Sequence, residues 1–374
     1  MKKYNIKFKE SNANAEISAF APEGKIAEYH VIIHLEPQDD LFLSQYSRMC
    51  TTENLLMQQP EFQGAEIIFK RYFVSDSTNQ RPLMQNVDSP AVSIIQQPPL
   101  DGSKISLWLY IAKGMDVREQ NGCIVASHNG IDHIYKMGMY NTKGDSAAQT
   151  ESILKEYEEV LAKFNANIAD NCIRTWFFVR DVDTQYAGMV DARRKNFLEN
   201  GLSEKTHYIA STGIGGLPSD PKSLIQLGTY AIAGISPTQV RFLYAPEYLN
   251  PTYEYGVTFE RGTYVELSDR REIYISGTAS IDNKGNVLHI GDIAKQTYRM
   301  IENVNALLAE AKSSFDDVAQ IIVYLRDIND YKIVNKMFSE YFPNIPKVIT
   351  LAPVCRPTWL IEMECVAIKP TFSI

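Results

Sequence analysis

The stretch GDIAKQTYRMIENVNALLAEAKSSFDDVAQIIVYLRD, residues 291–327, decides the fold. Asp292 follows a glycine and is placed to cap the first turn of a helix. The apolar residues that follow have the three-and-four spacing of an amphipathic helix: Ile293, Ile301, Val304, Leu308 and Ala311. The closing run QIIVYLRD is continuously apolar, which is typical of a strand covered on both faces. The stretch therefore predicts one long helix followed by one buried strand.

The same order of elements occurs elsewhere in the chain. Residues 144–164, GDSAAQTESILKEYEEVLAKF, again begin with Gly-Asp and have helical spacing, and CIRTWFFVRD (172–181) follows them. The first third has its own buried run, EIIFKRYFVSD (66–76), without a Gly-Asp cap upstream. Two further strands follow each run. We therefore predict three degenerate copies of one α+β unit, at about 1–120, 121–236 and 237–374.

The last predicted strand lies in APVCRPTWLIEMECVAI, residues 352–368, and carries two glutamates. Glu362 and Glu364 are two residues apart, so they share one face of the strand. A carboxylate in such an apolar strand either reaches solvent or has a raised pKa and a task. The letters TWLIEME align with KISLWLY and LIQLGTY in the other two units, and neither counterpart has a glutamate. The shared fold therefore does not require Glu362.

Composition excludes several classes of protein. The formal charge is −8 and the pI about 5.4, which argues against a nucleic-acid surface. The five cysteines are scattered without a CxxC pair, so neither a disulfide framework nor a zinc site is expected. No metal-binding, Walker or Rossmann motif occurs, and no cofactor is implied. Without an apolar run of about 18 residues, we expect a cytoplasmic protein with no membrane contact.

The third unit resembles the Rid (YjgF) family, also described as endoribonuclease L-PSP-like. The matching strings are YISGTASIDNKGNVLHIGD (274–292), QTYRMIENVNALLAEA (296–311), DVAQIIVYLRD (317–327) and the closing IEMECVAI. Members of that family are small homotrimers with a chorismate-mutase-like fold and ligand sites between neighbouring subunits. The resemblance implies that this chain is a trimer written as one polypeptide, a monomeric pseudo-trimer.

Further strings resemble the chorismatases, which are built as a Rid pseudo-trimer. They are ASTGIGG (210–216), VTFERG (257–262), SGTASI (276–281) and APVCRP with LIEME (352–364). The resemblance implies cofactor-free hydrolysis of chorismate, a small anionic substrate, or of a close enolpyruvyl analogue. The products would be pyruvate and a hydroxybenzoate or a dihydroxycyclohexadiene acid. Asp282-Asn283 stand where chorismatases often have Gly-His, which puts the identity of the substrate in question.

The same resemblance implies roles for particular residues. Glu362 is the candidate general acid, and Cys355 is associated with the step that determines the product. Carboxylates and hydroxyls of the substrate would be bound by a second group of residues: Arg261, Arg356, Tyr208, Thr212, Gly213 and Thr278. Each has a structural alternative: a solvated edge for Glu362, a small buried hydrophobe for Cys355, salt bridges, turns or packing for the rest. Arg193-Arg194-Lys195 is interpreted as a solvated helix face.

Two other functions stay open. Rid imine or enamine deaminases hold the substrate carboxylate with an arginine, but the corresponding positions here are Val92 and Val348. A non-catalytic small-acid binding protein, or an RNA-active protein, is the other alternative. The net charge of −8 weighs against RNA.

Overall fold

The computed structural model describes residues 1–371, which form three six-stranded sheets. We call the parts of the chain that build these sheets the first, second and third units. The first unit contains β1 (Lys2–Phe8), β2 (Ala13–Phe20), β3 (Ala27–Leu35), β4 (Ala65–Val74), β5 (Val92–Gln96) and β6 (Ile105–Lys113). The second contains β7 (Asp116–Gln120), β8 (Cys123–His128), β9 (Ile131–Tyr140), β10 (Cys172–Val179), β11 (Ala210–Gly215) and β12 (Ile225–Ala233). The third contains β13 (Val240–Leu243), β14 (Gly262–Glu266), β15 (Arg270–Ala279), β16 (Val318–Leu325), β17 (Lys347–Leu351) and β18 (Ile361–Pro370).

All three sheets have the same topology. The strand orders are β1-β2-β3-β6-β4-β5, β7-β8-β9-β12-β10-β11 and β13-β14-β15-β18-β16-β17. The last pair in each order is parallel and the other pairs are antiparallel. A bulge also recurs where the fourth and fifth strands of each order pair, at residues 68, 173 and 319. The predicted α+β repeat is therefore confirmed.

The two long predicted helices are present with their caps. They are α3 (Ser146–Ala162) and α6 (Ile293–Glu310), and Asp145 and Asp292 each accept a hydrogen bond from a backbone amide of the first turn. The other helices are α1 (Phe42–Met57), α2 (Ser77–Gln80), α4 (Ile168–Asn171), α5 (Val182–Glu199) and α7 (Tyr331–Tyr341). The first-unit helix α1 begins after Leu41 without a side-chain cap, as the missing Gly-Asp indicates. Its burial against β3 and β6 stabilises it instead.

One hydrophobic cluster contains side chains from all three units. It includes Trp108 of the first unit, Trp176 of the second and Val366 of the third, each no more than 5% exposed. The first and second units also have cores of their own. The three-fold arrangement and the exact unit boundaries stay predictions, although β7 precedes residue 121 and pairs within the second sheet. Among the described residues, no helix is long and apolar enough to span a membrane.

A histidine joins the first unit to the third. His34 on β3 lies with Nδ1 2.9 Å from Asp101 Oδ2 and Nε2 3.0 Å from the carbonyl oxygen of Lys347 on β17. Both partners only accept hydrogen bonds, so the two ring nitrogens donate together only when the imidazole is protonated. The hydrogen bond with Asp101 and the charges of Glu16 and Asp101 outweigh burial and raise the pKa of His34 to about 9.

This contact makes the stability of the fold pH-dependent. Because the folded state raises the pKa of His34, its contribution is complete below the unfolded value of about 6.5 and is lost as pH rises towards 9. We expect the melting temperature to fall over that window, by an amount corresponding to about 2–3 kcal/mol at most. Differential scanning calorimetry from pH 6 to 10 measures this. A His34→Gln variant with the same pH dependence would contradict the assignment.

Candidate functional site

Glu362 occupies the second position of β18 and is only 4% exposed. It pairs with Ala279 on β15 and with Tyr324 on β16, so it lies in the middle of the third sheet. Counted from the shared bulge, the same position of the other two sheets is occupied by Ser106 and Gln226. The letter alignment was therefore wrong by two residues, because it ignored strand register. Its conclusion holds, since neither counterpart is a glutamate.

A glycine makes room for the Glu362 carboxyl. Gly277 lies in a bulge of β15 between Ile275 and Thr278, directly beneath that group. A methyl group at this position would overlap Glu362 Oε1 and lie 2.8 Å from its Cδ. Within residues 1–371, no hydrogen bond is made to the Glu362 carboxyl, whose position is set by packing. The carboxyl thus lies beside the gap left by the missing side chain of Gly277, and neither of its oxygens accepts a hydrogen bond from residues 1–371.

Burial gives this carboxyl an unusual proton affinity. Desolvation, followed by the negative charge of Glu364, raises the pKa of Glu362 to about 8, against the opposing effects of Arg174 and Arg261. Half or more of the molecules therefore hold the proton at pH 7 to 8. A carboxylic acid that stays protonated near neutral pH has the property that a general acid needs.

Glu362 faces a narrow cavity of about 30 Å³ between the second and third units. Five of the residues predicted for the site line it together: Gly213, Arg261, Cys355, Arg356 and Glu362. Arg261 and Glu362 come from distant segments of the chain, and both line this cavity. Aromatic and apolar side chains complete the walls: Tyr186, Tyr255, Val257, Phe259, Ala279, Ile281 and Trp359.

Two predicted arginines line the cavity, one held by hydrogen bonds to a backbone carbonyl and the other by contacts with aromatic rings. Arg261 is 4% exposed, and its Nε and Nη2 donate to the carbonyl oxygen of Asn250 at 3.2 and 2.8 Å. Arg356 is half-buried and packs its guanidinium over the rings of Tyr255 and Trp359, at 5.0 and 5.3 Å from their centroids. These aromatic contacts hold a cation without consuming most of its hydrogen-bond donors.

A third arginine was missed by the sequence interpretation. Arg193 on α5 is 1% exposed and lines the cavity, so its assignment to a solvated face is wrong. It donates weakly to Thr258 Oγ1 and Ser211 Oγ, and its Nη2 is buried without a partner among the described residues. The buried face of α5 contains Met189, Val190 and Phe197, at helical spacing from Arg193. That spacing was the sequence signal that could have placed Arg193 on the buried face of the helix.

Cys355 lies beside Glu362 as a thiol. Burial and the nearby carboxyl of Glu362 raise the pKa of Cys355 to about 12. Since the thiolate is the reactive form, this cysteine is not an activated nucleophile near neutral pH. Its place in the wall instead suits it to shaping the cavity or donating a weak hydrogen bond.

Three predicted residues do not line the cavity. Thr278 donates its hydroxyl to the carbonyl oxygen of Ser276, and Thr212 accepts from the amide of Gly277 at 2.9 Å. Both are 1% exposed. Tyr208 lines a neighbouring pocket on the other side of Arg261. Thr212 and Thr278 are therefore placed to support the strand bulge, and a direct role in binding stays a prediction for all three.

Glu364, on the same face as Glu362, is fully engaged within the protein. Its Oε2 accepts from Arg174 Nη2 and its Oε1 from Trp176 Nε1, both at 2.8 Å. Arg71 of the first unit lies 3.6 Å from Oε1. The two glutamates of β18 therefore differ in kind, because Glu364 is paired in the core and Glu362 faces the cavity.

Comparison with known proteins agrees with this architecture. The crystal structure of a chorismatase covers 94% of this chain and 99% of its own, with a TM-score of 0.65 and 16% identity, so the two share a fold. The family model described as Endoribonuclease L-PSP matches residues 260–369.

Sequence relatives match the third unit. A RutC family protein of Pyrococcus abyssi is 40% identical over 99 residues, covering 26% of this chain and 78% of the relative. The 3-aminoacrylate deaminase RutC of Acinetobacter baylyi is 34% identical over 97 residues, covering 25% and 77%. The fold is thus the α+β fold seen in chorismatase. The chain belongs to the Rid family of endoribonuclease L-PSP and RutC proteins, and the predicted resemblance is confirmed.

Proposed function

We propose that this protein is an enzyme that hydrolyses chorismate, or a close enolpyruvyl analogue, with Glu362 as the general acid. The products are pyruvate and a hydroxybenzoate or a dihydroxycyclohexadiene acid. As part of the same proposal, the enzyme works as a cytoplasmic monomeric pseudo-trimer on a small anionic substrate.

The observation that carries the proposal is one buried, unengaged carboxyl facing a cavity with three arginines. Arg193, Arg261 and Arg356 surround the space in front of Glu362. A dianionic substrate requires such cations, since guanidinium groups bind carboxylates with two parallel hydrogen bonds. The fold shared with a chorismatase supports the same assignment.

The chemistry follows from the protonation of Glu362. The acid gives its proton to the methylene carbon of the enolpyruvyl group, which leaves an oxocarbenium ion at the ether carbon. Water adds to that carbon and loses a proton to the Glu362 carboxylate. The hemiketal then collapses: its C–O bond to the ring breaks, its hydroxyl proton passes to the departing ring oxygen, and pyruvate and the dihydroxycyclohexadiene acid separate. Loss of one water molecule from that acid would give the hydroxybenzoate. The acid is regenerated, so no cofactor enters the balance.

Purified protein incubated with chorismate tests the proposal directly. Pyruvate is measured by its reduction with lactate dehydrogenase, and the cyclic product is identified by chromatography and mass spectrometry. Stoichiometric pyruvate and one cyclic acid are expected. Chorismate that stays intact would overturn the proposal, and thermal stabilisation by chorismate without turnover would favour a binding protein instead.

Arg193 and its neighbour provide a matched pair of variants. We expect Arg193→Met to raise KM for chorismate by about 10- to 100-fold, because a charged hydrogen bond to a carboxylate contributes about 1.5–3 kcal/mol. Arg194 is 57% exposed and pairs with Asp191 on the surface, so Arg194→Met should behave as wild type. Steady-state kinetics of both variants decide the point. Equal KM values would exclude Arg193 from substrate binding.

A second candidate is an imine or enamine deaminase, which the identity with RutC over the third unit favours. The predicted anchor positions weigh against it, since Val348 is buried on β17 and Val92 lies on β5. Ammonia release from 2-aminoacrylate generated in the assay distinguishes the two. Turnover of that substrate without turnover of chorismate would establish the deaminase.

A further inference from the structure

A fully buried ion-pair cluster lies behind the proposed acid. It consists of Arg71 from the first unit, Arg174 and Trp176 from the second, and Glu364 from the third, and we call it the junction cluster. Each member is no more than 2% exposed. Arg71 lies between aromatic rings, with its guanidinium carbon 5.1 Å from the centroid of Trp108 and 4.7 Å from that of Trp176.

The fold that the three units share does not require an ion-pair cluster at this position. Arg174 follows the bulge of β10, and the same position of the other two sheets is occupied by Phe69 and Gln320. Burying two arginines and a glutamate costs several kcal/mol of desolvation per ion, which well-packed apolar residues would avoid. Because the counterpart positions of Arg174 carry no charge, the shared fold does not require this cluster, which indicates a task specific to this place.

Contacts lead from the junction cluster to Glu362. Arg174 Nη2 donates to Glu364 Oε2 at 2.8 Å and to Thr212 Oγ1 at 2.5 Å. Thr212 Oγ1 also accepts from the amide of Gly277 at 2.9 Å. Gly277 lies directly beneath the Glu362 carboxyl. The hydrogen bonds from Glu364 through Arg174 and Thr212 therefore fix the backbone against which that carboxyl packs.

We propose that the junction cluster positions Glu362, with Arg174 as the positioning residue that joins Glu364 to the bulge at Gly277. This inference rests on the proposed function for its consequence in catalysis, but the placement and proton affinity of Glu362 can be measured without a substrate. It also gives the first unit a part in the site, since Arg71 supplies the second positive charge beside Glu364.

The cluster also acts on the charge of Glu362. The charge of Glu364 holds the pKa of Glu362 up, after desolvation, while Arg174 lowers it. Removing the Glu364 charge ends the repulsion that raises the pKa of Glu362. It also leaves the positive charges of Arg174 and Arg71 without a paired carboxylate, so they stabilise the charged form of Glu362 more strongly. Both consequences lower the pKa of Glu362. The charged and titratable groups around Glu362 are Glu364, Tyr324, Arg174, Tyr186, Arg193, Tyr255, Arg261, Cys355 and Arg356.

Glu364→Gln tests the inference, with Glu28→Gln as its matched control. Glu28 is another buried carboxylate paired with an arginine of a different unit, Arg270, and it also accepts from Tyr110 at 2.7 Å. The readout is the infrared band of the protonated Glu362 carboxyl, assigned by its loss in Glu362→Gln and titrated with pH. We expect the midpoint in Glu364→Gln to move down by about one pH unit or more, a tenfold loss of proton affinity.

The same shift is expected in the alkaline limb of kcat, since Glu362 must be protonated to act. An unmoved infrared midpoint in Glu364→Gln, or an equal movement in Glu28→Gln, would overturn the inference. If wild-type protein leaves chorismate intact, the proposed function fails, while the infrared titration still decides this inference.

If Glu364→Gln does not fold, Thr212→Val provides the second test. This variant keeps every charge but removes the hydroxyl that joins Arg174 to the amide of Gly277. We expect the midpoint of Glu362 to change and kcat to fall about tenfold with KM little affected, because the acid is displaced and the cavity walls are not. Wild-type kcat and midpoint in this variant would refute the positioning role.

Discussion

Replacing Glu362 by Gln is expected to abolish pyruvate release from chorismate while the protein stays folded. Proton transfer by a positioned acid contributes about 10²- to 10⁴-fold to a rate, and glutamine has the same shape but no proton to give. Stopped assays with the lactate dehydrogenase readout measure the loss in kcat. Glu260→Gln is the matched control, because Glu260 is also buried with a raised pKa but lies outside the cavity lining.

The stability of the same variant separates a catalytic from a structural role. Because the folded state raises the pKa of Glu362 from 4.5 to about 8, the wild type loses stability as pH rises through that range. Glu362→Gln lacks this loss, so its melting temperature at pH 9 should equal or exceed that of the wild type. Residual activity within tenfold of wild type, or a lower melting temperature, would contradict the assignment of Glu362 as the acid.

We expect Gly277→Ala to abolish the proposed activity without unfolding the protein. The added methyl group overlaps the carboxyl of Glu362, which is the far end of a flexible side chain and moves aside more easily than backbone. Displacement of an acid by about 1 Å is enough to cost about 100-fold in rate. The measurements are kcat with chorismate and circular dichroism of the folded variant.

A second strand glycine is the control for that variant. Gly228 on β12 also has a close neighbour, since an added methyl would lie 2.8 Å from Met137 Sδ. Gly228→Ala therefore crowds a side chain of the second sheet, less closely than Gly277→Ala crowds Glu362 and away from that carboxyl. It should lose stability but retain kcat. Equal inactivation by the two variants would show that crowding of the sheets, and not displacement of Glu362, is responsible.

Local patterns were sufficient for the two long helices and for the buried strands predicted in the three units. Asp145 and Asp292 cap the helices predicted from them, and the apolar runs of the three units form buried strands. Spacing and capping act between residues a few positions apart, so the sequence expresses them directly. Glu362 was found for the same reason, because a carboxyl in an otherwise apolar strand is visible without a structure.

Strand register and the side-chain contacts between units could not be predicted from such local patterns. The letters alone do not show which residues pair across strands, so the counterparts of Glu362 were misplaced by two residues. Arg193 was assigned to solvent from its charged neighbours, although α5 turns it inward. Arg71 and Arg174 were passed over as parts of apolar runs.

The sequence by itself determined the repeat, the helix and strand order, the family and the unusual glutamate at Glu362. Only the tertiary structure decided that Arg193, Arg261 and Arg356 meet Glu362 in one cavity, and that Glu364 is held by arginines of two other units. The physical reason is the range of the interactions. Propensity, capping and periodicity act along the chain, whereas desolvation and charge pairing depend on side chains that folding alone brings together.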